Sequence, residues 1–410
     1  MNYQQTIDFL FSSLPMYQRQ GSIAFKKDLT NTISLCQHLD NPHFKFKCVH
    51  VAGTNGKGSS SHYLASVLQV AGFKTGLYTS PHLKNFSERI RINGKEISEE
   101  KVIEFVRLIK PLIEEINPSF FEITVAMAFW IFAISKVDIA IIETGLGGRL
   151  DSTNVIIPEV SLITNISYDH QDMLGSTVQE IAAEKAGIIK QNVPVVIGSR
   201  NPEVDFVFNN KANETSSKII YAAPMIVRDA DLDQIDITPA YQLENLPGII
   251  ATLQVLYDKG FQTSKEDLIE GIKTVKERTG LKGRWQILQK SPFVVCDVAH
   301  NENGIELILK ELSTYSFERL FVVLGMVKEK NAMGILSMFP KDAHYILCQP
   351  KIPRAAKASD IYTNAIELGF SAEVVEDVNR AVAKACELAS INDFIYVGGS
   401  TFVVAELDNL

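Results

Sequence analysis

Five cysteines in 410 residues, at positions 36, 48, 296, 348 and 386, leave little scope for a disulfide framework or a zinc site. They are odd in number and nowhere spaced C-x-x-C. Reduced thiols in a cytoplasmic protein are therefore expected, without a metal or disulfide role. Positive charge is also short: 40 Lys and Arg stand against 48 Asp and Glu, for a net charge of −8. That balance argues against a nucleic-acid partner held through its phosphates, although a local basic pocket for a small anion stays open. No uninterrupted apolar run reaches membrane length. The most apolar stretch, 123–142, is broken by Lys136 and Asp138 and reads as a buried helix followed by a buried strand. The opening MNYQQTIDFLFSSLP has no basic region ahead of a long apolar core, so no secretory signal is read. Low-complexity tracts and internal repeats are not evident either.

What is present is the composition of a soluble globular protein, 46% hydrophobic and 21% charged, at a length that suggests two or three domains. Short apolar runs alternate with helical patterns. Strands are expected at 46–51, 74–78, 139–143, 160–164 and 195–198, with helices at 59–71, 99–115 and 121–135. The segment 89–97 reads as a hairpin turning at Asn93-Gly94. This alternation is that of a doubly wound, mostly parallel α/β sheet. A second series follows KERTGLKGRWQILQKSP, with strands expected at 293–296, 320–324, 345–348, 373–375 and 394–397. It makes a smaller α/β domain of about 120 residues, an ordinary domain size. The change-over falls within 280–292, which gives domains 1–284 and 285–410.

Between the first expected strand and helix lies CVHVAGTNGKGSSSHYL, 48–64. It departs from the usual phosphate-loop pattern G-x-x-x-x-G-K-[ST]. Val51 stands where the first glycine belongs, and Gly58 separates Lys57 from Ser59. The context still suits an anion. Glycines let successive N–H groups converge, the helix N-terminus adds partial positive charge, and an exposed Lys57 would reach outer phosphates. Ser59 or Ser60 could then contact phosphate or metal-bound water. The plain alternative is a tight strand-to-helix turn.

Three further stretches carry chemistry. In IIETGLGGRLDSTN, Glu143 ends a buried strand beside this loop, where a carboxylate could hold Mg2+; alternatively it begins an exposed loop. In TNISYDHQDMLGSTVQEIAAEKAGII, His170 precedes an amphipathic helix ending at Gly187. A lone histidine is more often structural than a ligand, and Lys185 reads from the residues alone as a solvated lysine near a helix C-terminus. In FFEIT, a phenylalanine could stack on a flat heterocycle or simply begin a buried helix.

Gly53-Thr-Asn-Gly-Lys-Gly-Ser59 is similar to the nucleotide loop of the Mur ligase superfamily, and in particular to its folate branch, the folylpolyglutamate and dihydrofolate synthases. Other segments resemble that branch in the same order: YTSPHL, FFEIT, the Glu143 and His170 stretches, LENLPGI, KGRWQ and VVCDVAHNENG. Together they span Gly53 to Asn301, with looser similarity at VLGMVKEKN and DFIYVGGSTF. The resemblance implies a P-loop NTPase-like sheet domain followed by a smaller Rossmann-like domain. It implies ATP held by Thr54, Asn55, Gly56, Lys57, Gly58, Ser59, Ser60, Asn245, Arg284 and Asp297. It implies two Mg2+ ions, one on Ser80 and Glu143, the other on His170 and a carbamylated Lys185. Phe121, Glu122, Asp151 and Ser152 would lie at the pterin, and His300 near glutamate. Catalysis would rest on Lys57, His170, Lys185, Asp297 and His300. Arg284 could instead be a linker cation paired to any nearby acid. Glu302 stands where the family usually has proline, so its helix is expected to start differently.

The implied activity is ATP-dependent ligation of L-glutamate to dihydropteroate and/or to the glutamate tail of reduced folates through an acyl phosphate. The implied protein is a monomer with small-molecule substrates and neither nucleic-acid nor membrane partners. Two rivals stand beside it: a Mur-type ligase for another carboxylate, and a P-loop regulatory ATPase that ligates nothing. The segments at Phe121 and Asp151 weigh against the first.

Overall fold

The computed structural model describes residues 1–16, 28–224 and 239–410. They form two compact units. One comprises the described residues up to 224 together with 242–281, the other 239–241 with 282–410.

In the first unit, eight strands make one sheet: β1 Lys47–Ala52, β2 Thr75–Tyr78, β3 Ile90–Ile92, β4 Lys95–Glu96, β5 Ile139–Glu143, β6 Val160–Ile163, β7 Val195–Ile197 and β8 Ile219–Tyr221. Their spatial order is β4-β3-β2-β5-β1-β6-β7-β8. Pairing is parallel from β2 across to β8, and at the other edge β3 runs antiparallel to both β2 and β4. The turn residues Asn93 and Gly94 between β3 and β4 take φ of 46° and 74°, the left-handed pair that a tight hairpin needs. β8 was not among the expected strands.

β1 is central and buried on both faces. Val49 and Val51 pack with Leu64, Leu68, Ile141 and Leu162 on one side. Cys48 packs with Tyr78, Ile142, Phe129 and Phe132 on the other. This alternation is what a strand covered by helices on both sides requires. The apolar helix Phe120–Ser135 supplies much of the second face. It starts at a capping box in which Ser119 Oγ accepts from Glu122 N, and it ends where Lys136 turns left-handed. Residues 123–142 are thus the buried helix and buried strand expected of them.

Six strands build the second unit: β9 Gln286–Lys290, β10 Phe293–Cys296, β11 Leu320–Leu324, β12 His344–Leu347, β13 Ser371–Val374 and β14 Phe394–Gly398. Their order is β13-β12-β11-β14-β10-β9, parallel except for β9 against β10. Two expectations need correction. β13 lies two residues earlier than 373–375 at its start and ends at Val374. β9 falls in a stretch read as a linker, because its polar, half-exposed residues suit an edge strand and lack an apolar run. Among the described residues, no helix is long and apolar enough to cross a membrane. All five cysteines are free thiols.

Candidate active site

The loop 53–56 joins β1 to the helix Lys57–Val70. That helix begins at Lys57, two residues before the expected Ser59, because Gly56 adopts φ 79° and the chain enters helical geometry directly after it. Gly58 and Ser59 follow in the first turn, and Ser60 N donates to Gly56 O. Gly53 has φ 149°, and a Cβ there would sit 1.9 Å from Thr164 Oγ1. A side chain at this point would collide with the segment that grips the loop.

That segment, 164–167 beyond β6, makes a dense clasp. Thr54 N donates to Asn165 O, and Asn55 N to Asn165 Oδ1, each at 2.9 Å. Thr164 Oγ1 donates to Asn55 O at 2.6 Å, while Thr54 Oγ1 accepts from Ser167 N at 3.0 Å. Asn165 was not picked out in the sequence. Its only signal is a polar TNIS at the C-terminal end of a buried strand. Asn245 reaches the loop: a Cβ on Gly56 would lie 2.1 Å from its Oδ1. It is linked to Ser59 through a second unforeseen residue, the buried Gln242. Asn245 Nδ2 donates to Gln242 Oε1 at 3.0 Å, and Gln242 Nε2 to Ser59 Oγ at 3.2 Å. Ser60 is fully buried, and among the described residues its Oγ has no partner.

Lys57 is not the exposed loop lysine that was expected. It is half-buried, and its Nζ turns back to donate to Gly53 O and Thr54 O, both at 3.0 Å. The ammonium takes the nearest carbonyls, which lie one helical turn behind it. Lys185 departs further from the reading of its residues alone. It is 3% exposed, and Nζ donates to Gly53 O at 2.9 Å. Burial above all, then the charge of Lys57, pushes its pKa down to about 7, against the pull of Asp169 and Asp151. Two ammonium groups from distant parts of the chain therefore meet at one carbonyl.

Glu143 ends β5 in register with Val51, the residue two before Gly53. It is 4% exposed and begins no exposed loop, and its Oε2 accepts from Ser80 N at 3.1 Å. Ser80 and Glu143 are thus brought together, with the buried Arg89 close enough for its charge to be felt by Glu143. His170 is half-buried with φ 48°, and its Nε2 lies 3.9 Å from Asp169 Oδ2. Asp169, which the sequence reading passed over, ties His170 electrostatically to the surroundings of Lys185.

On the other side of Glu143 lies the loop 144–155. The ring of Phe121 packs against Gly145, where an added Cβ would come within 2.4 Å of it, and lies 6.3 Å from the Tyr78 ring. Glu122 is buried, and its Oε2 accepts from Ser119 N at 2.6 Å and Asn31 Nδ2 at 3.2 Å. Asp151 is buried as well. Its carboxylate accepts from Leu146 N at 2.8 Å, Thr153 N at 3.0 Å and Thr153 Oγ1 at 2.5 Å. Asp151 thereby holds its own loop in shape, and burial raises its pKa. Ser152 follows, buried in the same short helical turn.

In the second unit Asp297 follows β10 and is buried. It accepts from Tyr241 Oη at 2.5 Å, Trp285 N at 2.6 Å and Ala299 N at 2.8 Å. Burial raises its pKa, and the charge of Arg284 opposes the rise. His300 is half-buried, with Nδ1 2.9 Å from Val298 O. Asn301 caps the helix Glu302–Leu312 through Oδ1, which accepts from Gly304 N, so Glu302 is an ordinary first helical residue. Tyr241 escaped the sequence reading because it lies far from Asp297 along the chain.

A large, mostly parallel α/β unit with a lysine-bearing glycine loop on its central strand, followed by a smaller α/β unit, defines the Mur ligase class. The Mur ligase middle domain matches residues 51–235, and the Mur ligase glutamate ligase domain matches 283–401. Dihydrofolate synthase/folylpolyglutamate synthase of Bacillus subtilis is 32% identical over 93% of this chain and 94% of its own length. The structure of E. coli FolC in complex with DHPP and ADP is similar at a TM-score of 0.84 and 27% identity, covering 99% of this chain and 96% of that one. The Yersinia pestis bifunctional folylpolyglutamate synthase/dihydrofolate synthase complexed with AMPPNP and Mn ion is similar at 0.82 and 26%, covering 99% and 97%. The chain belongs to the dihydrofolate synthase/folylpolyglutamate synthase family of Mur ligases.

Proposed function

We propose that this chain joins L-glutamate both to dihydropteroate and to the glutamate tail of reduced folates, with ATP, through an acyl phosphate. The observation that carries this reading is the meeting of Lys57 and Lys185 at Gly53 O, one strand away from the buried Glu143. The Lys57 cation and a helix N-terminus on one side, with the Glu143 carboxylate on the other, suit a polyphosphate and its metal ion. The relatives bound to DHPP with ADP, and to AMPPNP with Mn, support the same reading.

Two sets of residues carry chemistry that a metal could take. Ser80 N donates to Glu143 Oε2, so a carboxylate and a residue bearing a hydroxyl, oxygen ligands of the kind Mg2+ takes, are neighbours. Lys185 as an ammonium would repel a cation, whereas its carbamate would offer oxygen. With its pKa lowered to about 7, a large share of this lysine is neutral amine near neutral pH, the form that adds CO2. We therefore assign Ser80 and Glu143 to one Mg2+, and His170 with carbamylated Lys185 to a second. Bound Mg2+ supplies positive charge to the phosphoryl oxygens as the γ-phosphate moves.

Chemistry then follows from leaving groups. A carboxylate is a poor acyl donor because it is anionic and cannot expel oxide. Phosphorylation converts it into an acyl phosphate, which the glutamate amine attacks with loss of phosphate. Lys57 and the N–H groups at the start of the helix Lys57–Val70 hold the phosphates, and the wall formed by Phe121 and the loop 144–155 holds the pterin. By the family resemblance, Arg284 and Asp297 are assigned to ATP and His300 to glutamate. The test is phosphate release by the purified protein, with dihydropteroate and then tetrahydrofolate as acyl substrate. Release should require both glutamate and an acyl substrate, and both acyl substrates should work. Release from ATP alone would favour a regulatory ATPase. Turnover with tetrahydrofolate only would limit the chain to lengthening the glutamate tail.

A further inference from the structure

The middle of β1 carries a histidine that this chemistry leaves unused. His50 is fully buried, and its Nε2 lies 2.8 Å from Thr153 Oγ1. Thr153 Oγ1 is in turn 2.5 Å from Asp151 Oδ1, and Asp151 Oδ2 accepts from Leu146 N at 2.8 Å. The threonine hydroxyl has a single hydrogen, which goes to the carboxylate. It must then accept from the imidazole, so His50 carries its proton on Nε2. The other ring nitrogen agrees: Nδ1 is buried and, among the described residues, without a partner, as expected of the lone-pair nitrogen in that tautomer. Burial keeps the ring neutral, with a pKa pushed down to about 3, and the Lys190 charge adds to this.

A buried imidazole with one orphan nitrogen costs stability that an aliphatic side chain in the strand would avoid. What it provides is direction. With His50 donating, the Thr153 hydroxyl cannot rotate away from Asp151, and Asp151 keeps its donors from both ends of the loop 144–155. The same strand runs three residues further into Gly53. One rigid element therefore sets both the phosphate loop and the loop opposite Phe121.

We infer that His50 is a positioning residue for the acyl substrate, acting through Thr153 and Asp151 on the loop 144–155; this rests on the ligase reading above. Replacing it should loosen the acyl site and leave the nucleotide site in place. His50→Leu and Thr153→Val should each raise KM for tetrahydrofolate about tenfold, with KM for ATP changed less than about twofold. His50→Gln, whose amide N–H can still donate to Thr153, should recover much of the loss. Equal rises in both KM values, or no rise in either, would overturn the assignment.

Nitrogen-15 NMR of the unmodified protein gives an answer independent of turnover. It should show His50 neutral at pH 7 with the proton on Nε2. A proton on Nδ1, or a charged ring, would overturn the relay even if the variants fail to fold. A chain that shows no glutamate-dependent turnover at all would refute the ligase reading, and the tautomer would still decide the relay.

Discussion

Lys185 holds a charge where the protein can least afford to solvate one, and that gives it a pH signature. Its pKa falls from 10.5 to about 7 in the fold. Below pH 7 both folded and unfolded chains carry the proton, and the cost of the buried charge is fully present. Between about 7 and 10.5 only the unfolded chain stays protonated, so stability contributed at this site rises with pH across that window. Lys185→Met should therefore melt higher than the parent protein at pH 6 in metal-free, CO2-free buffer, and the difference should shrink towards pH 10. A constant difference would mean that Lys185 is not titrating there. The same variant should be inactive, and so should Lys185→Arg, which keeps a cation but cannot form a carbamate. An active arginine variant would refute the carbamate. Lys57 calls for a different expectation. Its bonds are to half-buried carbonyls of its own loop, so Lys57→Ala should melt within about 1 kcal/mol of the parent. It should nevertheless lose on the order of a hundredfold or more in kcat/KM through lost charge on the phosphates. Near-normal turnover at saturating ATP would remove the lysine from the site. Both lysines were visible in the sequence as positions within motifs, but not as neighbours. Burial of Lys185 comes from a long-range contact with Gly53, and no local pattern reports that.

At the scale of elements, the phosphate loop owes its shape to a neighbour. The segment after β6 supplies acceptors for Thr54 N and Asn55 N, both from Asn165. Asn165→Ala keeps the backbone carbonyl and deletes only the side-chain bond, worth about 1 kcal/mol. The expected result is a rise of roughly fivefold in KM for ATP, with KM for the acyl substrate nearly unchanged. A change confined to the acyl substrate would show that the clasp serves the other loop. The strands that form the heart of each sheet, β1, β5, β10 and β11, were legible because continuous apolar runs between turn residues have few other uses. β9 was not legible, since an edge strand with one wet face carries a weak pattern. Gln242 was missed for a related reason. It lies in a short helical turn, Ala240–Asn245, whose polar residues gain meaning only from what they meet in three dimensions.

For the molecule as a whole, the short strip 239–241 is the least expected feature. The sequence places the change within 280–292, with domains 1–284 and 285–410, and the two compact units divide after Leu281. Yet 239–241 belongs with the second unit although its neighbours on the chain from 242 onward belong with the first. Two bonds explain this. Ala240 N donates to Glu311 Oε2 at 2.7 Å, and Tyr241 Oη donates to the buried Asp297. Removing the phenol leaves Asp297 with two backbone donors in a site where burial already raises its pKa. Tyr241→Phe should therefore destabilise the second unit by about 1–2 kcal/mol, the cost of leaving a buried acceptor short of a partner. Because the chain folds as two compact units, the loss should be local. Amide hydrogen exchange should quicken in β10 and β14, which pair beside Asp297, while β1 and β5 of the first unit keep their protection. Turnover would fall if Asp297 serves ATP, and the nucleotide KM should move more than the acyl KM. Exchange that quickens equally in both sheets would mean that the units open together, and exchange unchanged in either would mean that Tyr241 does not hold Asp297.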